Sequence, residues 1–168
     1  VGELNKNKNH EVIIKALAKL QTPTIQYLLV GKGSLKEYLA EMAKNIGVGE
    51  QVHFLGFRND VAELYKTADI FVFPSKREGL SVALMEALAS GLPVVASRIR
   101  GNEDLIYPAI NGELVETMQV DKWSKSINKL CDRNYREDLE RNNNNIICKI
   151  DVIQIQNRIK ELYLDIGR

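Results

Sequence analysis

Asp69-Ile-Phe-Val-Phe-Pro-Ser-Lys-Arg-Glu-Gly-Leu-Ser-Val-Ala-Leu-Met-Glu-Ala-Leu-Ala-Ser-Gly-Leu-Pro93 is the stretch that decides the fold. An apolar run, Ile70–Phe73, reads as a buried strand closed by Pro74. A polar loop follows, and a helix is expected from about Ser81 to Ser90, stopped by Gly91 with Pro93 beyond it. Two carboxylates lie eight positions apart across that turn, Glu78 on the loop and Glu86 about one turn inside the helix. A helix N-terminus has unpaired main-chain N–H groups and a positive dipole end, so it can hold a diphosphate. A diphosphate there would leave one carboxylate for the group on each side, an arrangement that suits a sugar at one end and a ribose at the other.

The same alternation extends outward in both directions. Val1–Leu4 reads as the tail of a strand whose beginning has been cut off, and Asn9 is expected to cap a helix with apolar positions Val12, Ile13, Ala16, Leu17 and Leu20. Ile25–Val30 is a compact apolar run ending at Gly31-Lys32-Gly33, and Ser34 opens a second helix to about Ile46. Val52–Phe57 is a short strand, and Asp60 is expected to cap a helix to about Thr67. Strands Val94–Ser97 and Gly112–Val115 flank a helical turn at Asn102–Ile106. Beyond them the pattern is helical, over Val120–Cys131, Tyr135–Arg141 and about Asp151 to Ile166, with Asn142–Asn145 read as a loop.

Strands alternating with helices imply parallel β-α units, hence an α/β, doubly wound parallel sheet of Rossmann-like type with a helical C-terminal tail. Residues 1–150 form the expected domain and 151–168 a terminal helix. Ligands of such sheets bind beyond the carboxyl ends of the strands, where the loops at Glu3–Lys8, Gly31–Gly33, Gly56–Arg58, Ser75–Ser81 and Arg98–Asn102 fall.

Bulk properties exclude several classes. A chain of 168 residues is long enough for one domain burying roughly 70% of its unfolded surface. With 23 basic and 22 acidic residues, the formal charge of +1 makes no case for nucleic acid. No apolar run approaches the roughly 20 residues of a membrane span, and no signal-peptide pattern opens the chain. The start at Val1-Gly2-Glu3-Leu4, without an initiator Met, suggests an excised piece. Cys131 and Cys148, the only cysteines, fit reduced thiols in a cytoplasmic protein. His10 and His53 lack ligand-spaced neighbours, and no Asp-x-Asp pair occurs, so neither a metal nor another cofactor is expected.

Pro74-Ser75-Lys76-Arg77-Glu78-Gly79-Leu80-Ser81, Met85-Glu86-Ala87 and Gly91-Leu92-Pro93-Val94-Val95-Ala96-Ser97 together resemble the nucleotide-sugar domain of glycosyltransferase family 4, a family of retaining GT-B enzymes. The opening Val1-Gly2 and the later Lys8-Asn9-His10 extend the likeness, which covers residues 1 to about 116. The resemblance implies the C-terminal, donor-binding domain of such an enzyme. Glu86 resembles the glutamate that holds ribose hydroxyls, and Glu78 the one facing the donor sugar near its anomeric carbon. Gly79, Leu80, Ser81 and Val82 would offer main chain to the diphosphate. Lys8 looks like the family's phosphate-binding lysine, although a solvated lysine is its plain alternative.

One position departs from the family pattern: Glu3 stands where an arginine is usual, so Arg77 or Lys76 would have to supply the missing charge. Gly31 and Gly33 line the donor site in the family. As a lone Gly-x-Gly they are a weak dinucleotide signal. Phe57 and Arg58 would reach the nucleobase through main chain, with an ordinary strand exit as the alternative. Arg100 and Asn102 are candidates for donor or acceptor contact, and His10 is read as a packing residue.

The implied reaction moves a sugar from a nucleotide diphosphate, uridine-linked by resemblance, to an acceptor hydroxyl in bacterial polysaccharide or capsule synthesis. The implied acceptor is a glycan or lipid-linked glycan, reached through a further domain, and the full-length enzyme could sit peripherally at a membrane. A nucleotide-sugar epimerase, a phosphorylase, or a non-catalytic nucleotide-binding or assembly module remain alternatives.

Overall fold

A computed structural model describes residues 1–150, with side chains described through Asn143. The elements run α1 (His10–Leu20), β1 (Tyr27–Val30), α2 (Lys36–Asn45), a 3-10 turn (Gly49–Gln51), β2 (Val52–Gly56), α3 (Val61–Thr67) and β3 (Phe71–Phe73). They continue with α4 (Val82–Ala89), β4 (Val94–Ser97), α5 (Arg100–Glu103), β5 (Gly112–Val115), α6 (Val120–Cys131) and α7 (Arg133–Ile150). Among the described residues the strands form two sheets, β1–β2 and, in that order, β3–β4–β5, with every pairing parallel. This is the α/β, Rossmann-like doubly wound arrangement expected from the alternation.

Strand β4 shows why both faces are covered. Val94 and Ala96 point into a core built from α4, Tyr65, Phe71, Phe73 and Ile106, while Val95 joins the opposite core of α1, β1, α2 and α6. All four residues of β4 are buried, the signature of a strand between two helical layers. Trp123 on α6 is fully buried in the core shared by α1, β1, α2 and α6, and its indole N–H donates to the Glu116 carbonyl at 3.1 Å.

Residues 1–7 tie the two groups of strands together at their carboxyl ends. Gly2 N–H donates to Val30 O and Leu4 N–H to Lys32 O, both at 2.9 Å, so this segment runs beside the end of β1 without forming the strand expected at Val1–Leu4. Three residues later, the Asn7 carbonyl accepts from Lys76 N–H at 2.8 Å, just beyond β3. Between β1 and β3 lies a cleft of about 520 Å³, lined by Tyr27–Val30 on one side and Ile70–Val72 on the other, with Val1 and His10 also at its wall. Lys8, Glu78 and Glu86 do not line this cleft.

Several local expectations need correction. Asn142–Asn145 is no loop, because α7 runs unbroken from Arg133 to Ile150. The buried Asn143 amide instead donates to Leu92 O at 2.7 Å and Gly91 O at 3.3 Å, so an asparagine on this helix satisfies carbonyls that follow α4. Asn9 and Asp60 hold the N-cap positions of α1 and α3 but do not cap with their side chains. Asn9 is left-handed and turns its amide to Thr117 O at 3.0 Å, while the Asp60 carboxylate is taken by Arg58. The helical turn near Asn102 begins two residues early, at Arg100, and strands β1 and β3 are shorter than their apolar runs. The terminal helix expected at 151–168 lies outside the described residues.

Candidate functional site

The loop from Ser75 to Ser81 carries β3 into α4, whose apolar face Leu84, Ala87 and Leu88 packs into the core and whose start Ser81 caps. The Ser81 hydroxyl accepts from Leu84 N–H at 3.4 Å, and the Ser81 carbonyl accepts from Met85 N–H at 3.0 Å. Among the described residues, the main-chain N–H groups of Leu80, Ser81 and Val82 donate to nothing. The side chains of Leu80 and Val82 are exposed, so this helix end opens to solvent rather than to core. Unpaired donors at a helix start attract an anion.

Glu78 sits beside that opening. Its Oε1 accepts from Lys8 Nζ at 2.8 Å and from Asn7 Nδ2 at 3.4 Å, bringing together two residues about seventy positions away. The Lys8–Glu78 pair is four-fifths shielded, with side-chain exposures of 18% and 16%. Lys8 also lies over the Phe73 ring, 4.8 Å from its centroid, a cation–π contact that fixes its direction. Glu86, the fifth residue of α4, is exposed, and its Oε2 lies 3.3 Å from the Tyr65 hydroxyl. Burial, and next the Glu86 charge, raise the Tyr65 phenol above its ordinary range, so Tyr65 remains a donor. Nothing in the local sequence marked Tyr65 or Asn7, since each acts through a residue distant in the chain.

The remaining candidates divide by exposure. Arg77 and Lys76 are exposed at the same loop, and the Arg77 carbonyl accepts from Asn7 Nδ2 at 2.8 Å. Glu3 is exposed, and its carboxylate accepts from Asn5 Nδ2 at 3.0 Å. Phe57 is 69% exposed at the end of β2, next to Arg58, which pairs with Asp60. Arg100 is exposed at the start of α5.

Asn102 is turned inward instead. It is fully buried and its amide donates to Ser97 O at 2.9 Å, which ties α5 to the end of β4 and leaves its side chain facing the fold. Its neighbour Gly101 lies against the candidate loop: a Cβ there would come 2.2 Å from Gly79 O and 2.9 Å from Glu78 O. Gly31 and Gly33 serve a similar close approach, where a Cβ would come 1.9 Å from Gly2 O and 2.3 Å from Leu4 O. Their bare faces are filled by the main chain of residues 2–4.

His10 is buried behind Lys8, with Nδ1 2.8 Å from the Tyr27 hydroxyl. Burial first, then the amino terminus and Lys8, push its pKa down to about 3, so it is neutral and packs rather than exchanging protons. Among the described residues no three His, Cys, Asp or Glu side chains gather as a metal site would require, and no helix is long and apolar enough to cross a membrane.

The family model described as glycosyl transferases group 1 matches residues 1–146. The chain belongs to that family. Among curated relatives, this group 1 chain is 30% identical over 145 residues to the UDP-Gal:alpha-D-GlcNAc-diphosphoundecaprenol alpha-1,3-galactosyltransferase of Escherichia coli, covering 85% of this chain and 38% of that protein. It is 34% identical over 141 residues to an uncharacterized glycosyltransferase of Methanocaldococcus jannaschii, covering 82% of this chain and 36% of that protein. The group 1 chain thus spans well under half the length of these relatives. Among solved structures, Anabaena HepE in complex with UDP superposes with a TM-score of 0.85 at 26% identity, over 98% of this chain and 47% of that one. The C-terminal domain of LpcC, a group 1 protein from Francisella tularensis, shares the fold with a TM-score of 0.80 at 24% identity, over 89% of this chain and 82% of that one.

Proposed function

We propose that this chain is the donor-binding half of a retaining glycosyltransferase of family 4, the C-terminal domain of a GT-B enzyme. Its substrate is a uridine diphosphate sugar, as the UDP in the HepE neighbour suggests. In the reaction the bond between the anomeric carbon and the diphosphate oxygen breaks, and the anomeric carbon bonds to an acceptor oxygen. The acceptor proton is lost, and the diphosphate leaves with the electron pair. Positive charge builds on the sugar and negative charge on the departing diphosphate, and each needs a fixed partner.

The observation that carries this reading is the placement of the Lys8–Glu78 pair beside a helix start with three undirected main-chain N–H groups. Lys8, the N-terminus of α4 and Arg77 would receive the diphosphate, Arg77 standing in for the charge that Glu3 does not supply. Glu78 would face the sugar, and Glu86 would take the ribose hydroxyls, since one carboxylate can accept two such bonds. The charge on the leaving group is then met without calling on a metal ion. The acceptor, a glycan or lipid-linked glycan of polysaccharide synthesis, would be held by a second domain, and the whole enzyme would work at the cytoplasmic side, where nucleotide sugars are used.

Glu3 favours a second reading, a non-catalytic module that has kept the fold, because its carboxylate lies on the segment that carries Lys8. Calorimetry with UDP separates the two. The donor-binding reading expects measurable UDP affinity that falls at least tenfold in Glu86→Ala, whereas a module without the site shows no binding in either protein.

A further inference from the structure

The geometry points to Asn7 as a positioning residue that holds Glu78 in one orientation and thereby sets how strongly the sugar of the donor is recognised. This deepens the reading above and rests on it. Asn7 meets three consecutive residues of the loop. Its carbonyl accepts from Lys76 N–H at 2.8 Å, its Nδ2 donates to Arg77 O at 2.8 Å, and the same Nδ2 lies 3.4 Å from Glu78 Oε1. A primary amide has two hydrogens on that nitrogen, so both side-chain bonds can be made together.

Asn7 is itself held in place. The Asn5 side-chain oxygen accepts from Asn7 N–H at 3.0 Å and from Lys8 N–H at 3.1 Å, an Asx turn that shapes the main chain at both residues. The Asn5 amide in turn donates to Glu3. What reads in sequence as a solvated Lys/Asn run is therefore a connected network running from Glu3 through Asn5 to Asn7 and Lys8, and on to Glu78.

The consequence concerns one oxygen atom. Asn7 and Lys8 both bind Glu78 Oε1, and among the described residues no hydrogen bond is made to Oε2. With Oε1 engaged on the side of residues 7 and 8, rotation of the carboxylate is restrained and Oε2 is the acceptor left for a sugar hydroxyl. Lys8 cannot fix this alone once a diphosphate draws its ammonium away, because a flexible point charge can swing toward the anion. Asn7 is neutral and feels no such pull.

The test uses this chain with Asn7→Ala and Asn7→Asp, each titrated calorimetrically with UDP and with UDP-glucose, and followed by amide hydrogen exchange over residues 76–79 without ligand. The Lys76 bond runs through the Asn7 main chain and survives both changes, so the loop stays placed and UDP affinity should move by less than about threefold. The ratio of UDP-glucose to UDP affinity should fall about fivefold or more, further in Asn7→Asp, where a second carboxylate faces Glu78. Exchange at the Lys76 amide, whose N–H donates to the Asn7 carbonyl, should quicken about threefold as the loop loosens around it. Unchanged exchange overturns the role of Asn7 whether or not nucleotide binds. Faster exchange with an unchanged ratio also overturns it, leaving only a structural contact. Absence of UDP binding in the unsubstituted chain strikes the donor-binding reading itself and removes the role with it.

Discussion

Two strand exits, one from each group of strands, carry glycines that look alike in sequence and differ in what the missing side chain leaves room for. After β1, Gly31 and Gly33 are pressed against the main chain of residues 2–4, with virtual Cβ distances of 1.9 and 2.3 Å to carbonyl oxygens. After β3, Gly79 has nothing within 4 Å of a virtual Cβ and is exposed. The first loop is a packing joint, whose glycines let the amino-terminal segment close over β1. The second is an open mouth, beside undirected N–H groups and a charged pair. Glycine at a strand exit marks a close approach of main chain at Gly31 and Gly33 and open space at Gly79, a difference that only the fold reveals.

Substitution should separate the two loops. Gly31→Ala, which adds a Cβ at a φ of +142° and into Gly2 O, should cost about 3 kcal/mol in urea denaturation, with Gly33→Ala close behind. Equal stability to the unsubstituted chain would erase the distinction. Gly101→Ala lies between the regions, since its Cβ would strike Gly79 O from below; about 2 kcal/mol of destabilisation is expected. UDP affinity should fall with it, because the blow lands on the mouth.

Histidine 10 belongs to the packed side, and pH reports on it. Its folded pKa, about 3, lies below the ordinary 6.5, so the unfolded chain binds the extra proton first. The stabilisation is fully present above about 6.5 and is lost as pH falls toward 3. Between pH 7 and 5 the loss should reach roughly 2 kcal/mol, read as the difference in chemical denaturation between the unsubstituted chain and His10→Gln. Parallel pH profiles for the two proteins would contradict a buried neutral imidazole. The smallest effect on stability is expected at the mouth itself: Gly79→Ala should change it by no more than about 0.5 kcal/mol, while weakening UDP about tenfold by crowding the diphosphate.

How much of this was legible in the sequence follows from where the deciding contacts lie along the chain. Strands β4 and β5 and helix α6 begin and end where the residues say, because Gly91-Leu92-Pro93, Asn111-Gly112 and the apolar spacing of α6 are local signals. The position of Glu86 about one turn inside α4 was equally local. The failures share a cause. Asn9, Asp60 and Asn143 each have a short polar side chain that satisfies a partner outside its expected local role, at Thr117, Arg58 and Leu92. A run of asparagines can continue a helix when one of them is buried against carbonyls, which composition alone cannot show. Asn102, a candidate for donor or acceptor contact, is a buried tie to Ser97. Asn7, Tyr65 and Gly101 escaped notice because each meets the candidate site across the fold, Asn7 from some seventy residues away.

A crystal structure of this chain with a bound uridine diphosphate sugar tests the central claim most directly. The account predicts diphosphate oxygens within hydrogen-bond reach of the main-chain N–H groups at Ser81 and Val82 and of Lys8 Nζ, with the sugar turned toward Glu78 and the ribose toward Glu86. A ligand lodged in the cleft between β1 and β3, or a diphosphate that leaves the start of α4 untouched, would contradict it.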